Sequence, residues 1–254
     1  MKQKHTYLLI LLLALFSFSS QAQNIHCEVS VHNFFLKDEG RNRLVPIVIY
    51  ENENTTDTVT KSPVAIINHG YGVTNTAYSY IANHLVKKGF VVIGIQHDLP
   101  GDPPMATSGD LFKLRKPVWE EGVKNMLFTL ESLKKFGNNW NFEKLLIIGH
   151  SNGGDMAMLM ASEHPEMIWK VISLDNRRMP IPRVKQPQIL SFRSIDMPAD
   201  PGVLPTDKEQ KDLGIQIISL KNTKHNDMWD GGTKEQKQEI ISYIDFFCLQ
   251  AKTH

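Results

Sequence analysis

The sequence has little of several features that mark other classes of protein. Lysine and arginine total 28 against 27 acidic residues, so the chain lacks the basic excess that binds nucleic-acid phosphates. We therefore expect no nucleic-acid partner. No cysteine–histidine cluster has the spacing of a zinc site, and no repeat or low-complexity tract is present, so neither a metal centre nor a repeat architecture is expected. The 254 residues, 41% of them hydrophobic, suffice for one globular domain with a large core.

Long hydrophobic runs are also missing, except for one near the N-terminus. Tyr7–Phe18 is apolar but too short to span a bilayer, and two lysines precede it. Small and polar residues follow and suit cleavage near Ala22. The pattern predicts a signal peptide over residues 1–22 and no stable membrane span. A single domain over residues 23–254 would then be exported, to the periplasm or the medium.

Cysteine occurs only twice, as Cys27 and Cys248. In an oxidising compartment the two could form one disulfide between the first strand and the last helix. Two separate buried thiols fit the sequence equally well, because sequence alone does not place the Cα atoms within bridging distance. Both alternatives stay open at this point, and the oligomeric state is unknown.

Past the leader, strand-like and helix-like segments alternate. Two opening strands, "HCEVSVHNFFL" and "RLVPIVIYEN", flank a polar turn as a hairpin would. Later strands are continuous runs of Val, Ile and Leu between helices, which is typical of a parallel sheet covered on both faces. We expect an α/β fold of roughly eight strands, with one helix beginning near Pro117. The connection from Asn176 to Pro187 is too short for a large cap domain, so the loop 98–116 is the expected long functional loop.

The segment "LLIIGHSNGGDM" ends a buried strand on a serine surrounded by small residues. Gly149–Gly153 matches G-x-S-x-G, the turn that carries a nucleophilic serine between a strand and a helix. The glycines are needed because a Cβ there would collide with neighbouring chain. Ser151 would project above the sheet edge, near the N–H groups of the following helix. Ser151 is therefore the candidate nucleophile, and the alternative is a glycine-rich turn that serves packing alone.

A serine nucleophile needs a base that removes its proton. In this type of site the chain order is serine, acid, histidine, which leaves three histidines after Ser151. His164 is too near in sequence to reach back over the serine, and His254 is the terminal residue. His225 follows the last strand, at the sheet edge where α/β proteins carry their sites, so it is the candidate base.

The acid that orients this base is open between two aspartates. Asp175 ends the sixth expected strand in "VISLDNRRMP", and Asp196 lies just past the seventh in "SFRSIDMPADPG". Both stand at C-terminal strand ends, and both precede His225. Asp200 is a third candidate.

The oxyanion of an acyl-transfer intermediate needs two backbone donors. One is expected from the amide of Asn152, directly after the nucleophile. The other is expected from the loop "NHGYG", where Gly70 and Gly72 let the chain turn the amide of Tyr71 toward the site.

The segments "NHGYG", "GHSNGGDMAM", "ISLDNRRMP" and "KHNDM" resemble the α/β-hydrolase superfamily over essentially the whole mature chain. Within it, the sequence is similar to platelet-activating-factor acetylhydrolase-like and dienelactone hydrolase- or cutinase-like esterases. In the acetylhydrolase-like branch the acid lies in an L-D-x-x-M-x-P-like segment, to which "LDNRRMP" is similar, and this favours Asp175. In many other hydrolases the acid follows the seventh strand, as Asp196 does.

Together these residues predict a secreted serine hydrolase that cleaves small or short-acyl carboxylic esters through an acyl-enzyme. The triad would supply the chemistry, so a small-molecule ester is the expected partner and no cofactor is expected. Tyr71, Met228 and Trp229 are candidate walls of the substrate pocket, with core or lid packing as the alternative. A peptidase or acyltransferase on the same triad, and a non-catalytic binding protein on this scaffold, are the alternative functions.

Overall fold

A computed structural model of the protein describes residues 27–54, 61–135 and 139–249. The expected signal peptide and the C-terminal histidine lie outside the described residues. The described strands, in chain order, are β1 (Val29–Asp38), β2 (Arg43–Asn52), β3 (Ser62–Asn68), β4 (Val91–Ile95), β5 (Trp140–His150), β6 (Ile168–Leu174), β7 (Gln188–Arg193) and β8 (Gln216–Ser219). The described helices are α1 (Ser79–Lys87), α2 (Leu111–Lys134), α3 (Asn152–Glu163), α4 (Asp207–Leu213) and α5 (Lys234–Leu249).

The described strands form one eight-stranded sheet in the order β1-β2-β4-β3-β5-β6-β7-β8. The opening hairpin pairs β1 with β2 antiparallel, and β2 also pairs antiparallel with β4. From β4 to β8 every neighbouring pair is parallel. The expected α/β-hydrolase architecture, with about eight mostly parallel strands, is therefore confirmed.

Two hydrophobic clusters cover the two faces of this sheet. One joins the strands to the buried sides of α2 and α3, and the other joins them to α1 and α5. The central strands are buried on both faces, which explains why they read as unbroken Val/Ile/Leu runs rather than as alternating patterns. The layered packing leaves the C-terminal ends of the parallel strands as one shared edge for a site.

One helix boundary and one whole helix differ from the sequence-based expectation. Helix α2 begins at Leu111 rather than near Pro117, because the carboxylate of Asp110 accepts the N–H of Lys113 and caps the helix six residues earlier. Helix α4 was not expected at all. Its start is fixed by a capping box between Thr206 and Glu209, and it ends at Gly214 in the left-handed region (φ 70°).

The connection between β6 and β7 holds no helix, as expected for a fold without a large cap domain. None of the described helices is long and apolar enough to cross a membrane. Cys27 and Cys248 are free thiols, and both pack against the cluster that involves α1 and α5. The structure therefore corresponds to the two-thiol alternative.

A buried carboxylate ties α3 to the loop that follows β6. Oδ1 of Asp155 accepts the backbone N–H groups of Arg177, Arg178 and Met179, at 3.2, 2.9 and 2.8 Å. Asp155 is 2% exposed and its bond to Met179 is buried, so removing the carboxylate leaves at least this amide without an acceptor. This contact fixes the turn that begins at Asp175.

Asp155→Ala should lower the free energy of unfolding by about 3 kcal/mol, because these amides lose their acceptor. Chemical denaturation at neutral pH measures the change. Glu163→Ala, an exposed position on the same helix, is the matched control and should stay close to wild type. An Asp155→Ala protein as stable as this control would contradict the role given to the carboxylate.

Candidate active site

Ser151 stands on a strained turn between β5 and α3. Its backbone has φ 51° and ψ −115°, a conformation that side-chain-bearing residues rarely adopt. The turn is possible because its glycines leave room: a Cβ on Gly149 would lie 2.0 Å from the carbonyl oxygen of Gly153. A Cβ on Gly153 would in turn lie 2.2 Å from the carbonyl oxygen of Asn68. The collision expected from the sequence is therefore present at both glycines.

The structure brings Ser151, His225 and Asp175 into one hydrogen-bonded row. Nε2 of His225 lies 2.8 Å from Oγ of Ser151, and Nδ1 lies 2.7 Å from Oδ2 of Asp175. A carboxylate only accepts, so Nδ1 carries the proton and Nε2 is free to accept the serine hydroxyl. His225 is 5% exposed and sits on a short 3₁₀ turn after β8. The three side chains have the chain order and the hydrogen-bonding distances of a nucleophile, a base and an acid.

Both candidate aspartates contact His225, but at different atoms. Asp175 meets the imidazole, whereas Oδ1 of Asp196 accepts the backbone N–H of His225 at 2.8 Å. Asp196 therefore fixes the main chain of the base and does not touch its ring. The third candidate, Asp200, forms an ion pair with Arg178 at 3.8 Å instead.

Asp175 is fully buried and held as an anion. Burial by itself would raise its pKa, but the hydrogen bond with His225, the charge of Arg193 and the N–H of Ser194 together lower the pKa. Nη2 of Arg193 lies 2.8 Å from Oδ1, the oxygen that does not face the imidazole. Asp175 also has a positive φ of 60°, which turns its side chain from the end of β6 toward the base.

The two expected oxyanion donors lie beside the serine. Within the described ranges, neither the amide of Tyr71 nor that of Asn152 has a backbone or side-chain acceptor. Gly72, at φ 79°, turns the loop after Tyr71, and its N–H is held by Asp98 at 2.9 Å. The side chain of Asn152 has a separate role that the sequence did not reveal: its Oδ1 accepts the indole N–H of the fully buried Trp119 at 2.8 Å.

A second buried hydrogen-bond row supports the base from behind. Nε2 of His150 lies 2.9 Å from the carbonyl oxygen of His225 and must donate to it, so Nδ1 accepts the hydroxyl of Tyr78 at 2.7 Å. The same hydroxyl accepts the N–H of Gly70 at 3.1 Å. Burial lowers the pKa of His150 to about 3, and the neighbouring His225 charge adds to this, so His150 stays neutral.

This row was not predicted from the sequence. The sequence feature that could have indicated this row is His150, directly before Ser151, because its side chain must point to the opposite side from the serine. Its partner, Tyr78, lies 72 positions away in the chain, and only the packing of α1 on the sheet brings them together.

A cavity of about 330 Å³ opens over Ser151 and His225. Tyr71 and Trp229 line it, as expected, and so does Asn226. Met228 does not: it is fully buried in the hydrophobic core beside α1 and α5, which corrects its assignment as a pocket wall. The main chain turns after Met228, so neighbouring side chains point to opposite sides. Among the described residues, no group of three or more His, Cys, Asp or Glu side chains could hold a metal ion.

Tyr78→Phe should lower kcat for p-nitrophenyl acetate, a general substrate of serine hydrolases, about tenfold with little change in KM, because it removes the donor to His150 and the acceptor of Gly70 N–H. Steady-state kinetics measure this split. Tyr80→Phe is the control, since the Tyr80 hydroxyl donates to the carbonyl of Met228 and touches neither histidine. Equal kcat values for both variants would show that the row does not support the base.

Known structures and families share this architecture. The family model described as chlorophyllase matches residues 45–198, while no curated protein matches the sequence. A Klebsiella pneumoniae protein assigned as a dienelactone hydrolase aligns with TM-score 0.57 and 14% identity, over 88% of this chain and 100% of that one. A structure from a study of Nitrososphaera gargenis carboxylesterases aligns with TM-score 0.57 and 14% identity, over 84% of this chain and 98% of that one.

The acylaminoacyl peptidase of Pyrococcus horikoshii aligns with TM-score 0.61 and 15% identity, over 91% of this chain but 43% of that larger one. At such identities the structural likeness establishes the fold. The family match covers more than half of the chain and includes the strands that carry Ser151 and Asp175. The chain is therefore an α/β-hydrolase and belongs to the chlorophyllase family.

Proposed function

We propose that this α/β-hydrolase is an exported serine esterase that cleaves carboxylic esters. The observation that supports this most is the row from Asp175 through His225 to Ser151, which ends in an open cavity beside two unpaired backbone amides. These are the parts that acyl transfer to a serine requires. The family name and the carboxylesterases among the structural neighbours agree with an ester as substrate.

In the first half of the reaction, Nε2 of His225 takes the proton of Ser151 as Oγ attacks the ester carbonyl. The carbonyl oxygen becomes an oxyanion and accepts the N–H groups of Tyr71 and Asn152. Asp175 stabilises the imidazolium that forms, because its carboxylate stays ionised next to Arg193. His225 then protonates the leaving alcohol, and the acyl group remains on Ser151.

In the second half, water takes the place of the alcohol. His225 removes a proton from this water, which attacks the acyl carbonyl, and the same two amides hold the second oxyanion. His225 returns the proton to Oγ as the acid product leaves. The cavity over Ser151 is open, and the described residues form no cap domain above it, so small and short-acyl esters are its simplest substrates.

A fluorophosphonate should label the wild-type protein and should not label Ser151→Ala, because the reagent bonds to an activated serine.

Cells expressing the full chain should carry the labelled protein in the periplasm or the medium, beginning near Gln23, if the leader is cleaved as proposed. Absence of labelling would exclude the esterase. Hydrolysis of peptides but not of p-nitrophenyl acetate would assign the site to the peptidase alternative.

Asp175→Asn should lower kcat by about three to four orders of magnitude, since an amide neither holds the productive tautomer of His225 nor stabilises its cation. Asp196→Asn should cost about tenfold or less, because a side-chain amide oxygen still accepts the N–H of His225. Comparison of the two kcat values tests the assignment. An inactive Asp196→Asn variant together with an active Asp175→Asn variant would make Asp196 the triad acid instead.

A further inference from the structure

A second and larger cavity lies next to the catalytic one. Its volume is about 460 Å³, within the usual range of about 300–1,000 Å³ for small-molecule sites. Tyr71 lines both cavities and exposes half of its side chain, so its ring forms the wall between them. The Tyr71 hydroxyl accepts the N–H of Met105, which anchors this wall to the loop between β4 and α2.

The lining of the second cavity combines a larger apolar part with six charged or polar residues, each of which has at least one partner within the protein. Arg43 binds Asp102 with two hydrogen bonds of 2.9 and 2.7 Å and the carbonyl of His97 at 2.7 Å. Glu121 is paired with Arg41 at 2.5 Å. The remaining surface is formed mainly by aliphatic, methionine and proline side chains, among them Leu99, Met105, Leu114, Val118 and Met156. Such a surface stabilises an apolar occupant.

The position of the two cavities determines which part of an ester each can take. The leaving alcohol must lie next to Nε2 of His225, and His225 lines only the catalytic cavity, together with Asn226 and Trp229. The second cavity is lined by Tyr71, whose amide is an expected oxyanion donor, and by Met156, one turn after Asn152 in α3, and His225 is not among its lining residues. If the alcohol occupies the catalytic cavity, the substituent on the carbonyl carbon needs a different space, and the second cavity adjoins the catalytic one at Tyr71.

We propose that the second cavity binds the apolar acyl chain of the ester, with Tyr71 as the partition that the chain passes. This inference rests on the proposed esterase function and extends its substrates from short acyl groups to longer aliphatic ones. The alcohol stays in the catalytic cavity. The preference for acyl-chain length is then determined by the loop before α2 and by α2 itself, rather than by the residues around His225.

Ala106→Trp tests this, because Ala106 lines the second cavity from the loop and a large ring there fills it. The ratio of kcat/KM for p-nitrophenyl octanoate to that for p-nitrophenyl acetate should fall at least about tenfold, since several methylene groups lose their apolar site. Thr107→Trp is the matched control. It adds the same ring one position along, at an exposed residue that does not line the cavity, and should keep the wild-type ratio.

The alcohol series provides the second comparison. The ratio of octyl acetate to ethyl acetate cleavage should not change in Ala106→Trp, because the alcohol lies on the other side of Ser151. A fall in this ratio with an unchanged octanoate ratio would reverse the assignment of the two cavities and overturn the proposal. Equal values of both ratios in Ala106→Trp and wild type would also overturn it.

Binding separates this proposal from a failure of the catalytic one. Ser151→Ala should bind p-nitrophenyl octanoate in calorimetry, and Ser151→Ala with Ala106→Trp should bind it at least about tenfold more weakly. This measurement needs no turnover, so it decides the role of the cavity even if no ester is hydrolysed. Equal affinity of the two folded proteins would exclude the acyl site.

Discussion

The main chain around the nucleophile turn is packed so closely that side chains are excluded from it. Gly149 faces the carbonyl of Gly153, and Gly153 faces the carbonyl of Asn68, each at a distance that a Cβ would reduce to near 2 Å. This contact joins the ends of β5 and β3 to the first turn of α3. Since Ser151 lies between the two glycines and the oxyanion loop follows Asn68, the close approach sets the spacing of nucleophile and amides together.

The rest of the site is held by side chains that do not touch a substrate. Asp155 binds the turn after Asp175, Asp196 holds the backbone of His225, and Trp119 anchors the side chain of Asn152. Each of these contacts is buried or partly buried, so replacing one side chain leaves the polar group that it bound without a hydrogen-bonding partner. The geometry of the triad is thus fixed by hydrogen bonds one layer behind it, which is how a site keeps its shape before a substrate binds.

The two histidines next to Ser151 have different ring partners. His150 packs against the ring of His225, with ring centres 4.9 Å apart, but burial and the absence of an acid at its ring keep it neutral. Asp175 is buried too, yet Arg193 and the amide of Ser194 hold its pKa down, so the anion stands behind the base. Of these two buried imidazoles, only that of His225 has a carboxylate at hydrogen-bonding distance, whereas His150 contacts a hydroxyl and a carbonyl.

The sequence by itself determined the layered fold, the nucleophile turn and the position of His225, because hydrophobic period, glycine placement and chain order are local or one-dimensional signals. The tertiary structure decided between Asp175 and Asp196. Both end neighbouring strands, and only the positive φ of Asp175 and the path of the loop after β8 direct one carboxylate to the imidazole and the other to its amide. It also decided that Met228 belongs to the core and Trp229 to the cavity, and that His150 meets Tyr78. These contacts join residues far apart in the chain, and no pattern of adjacent residues encodes the direction in which a loop side chain points.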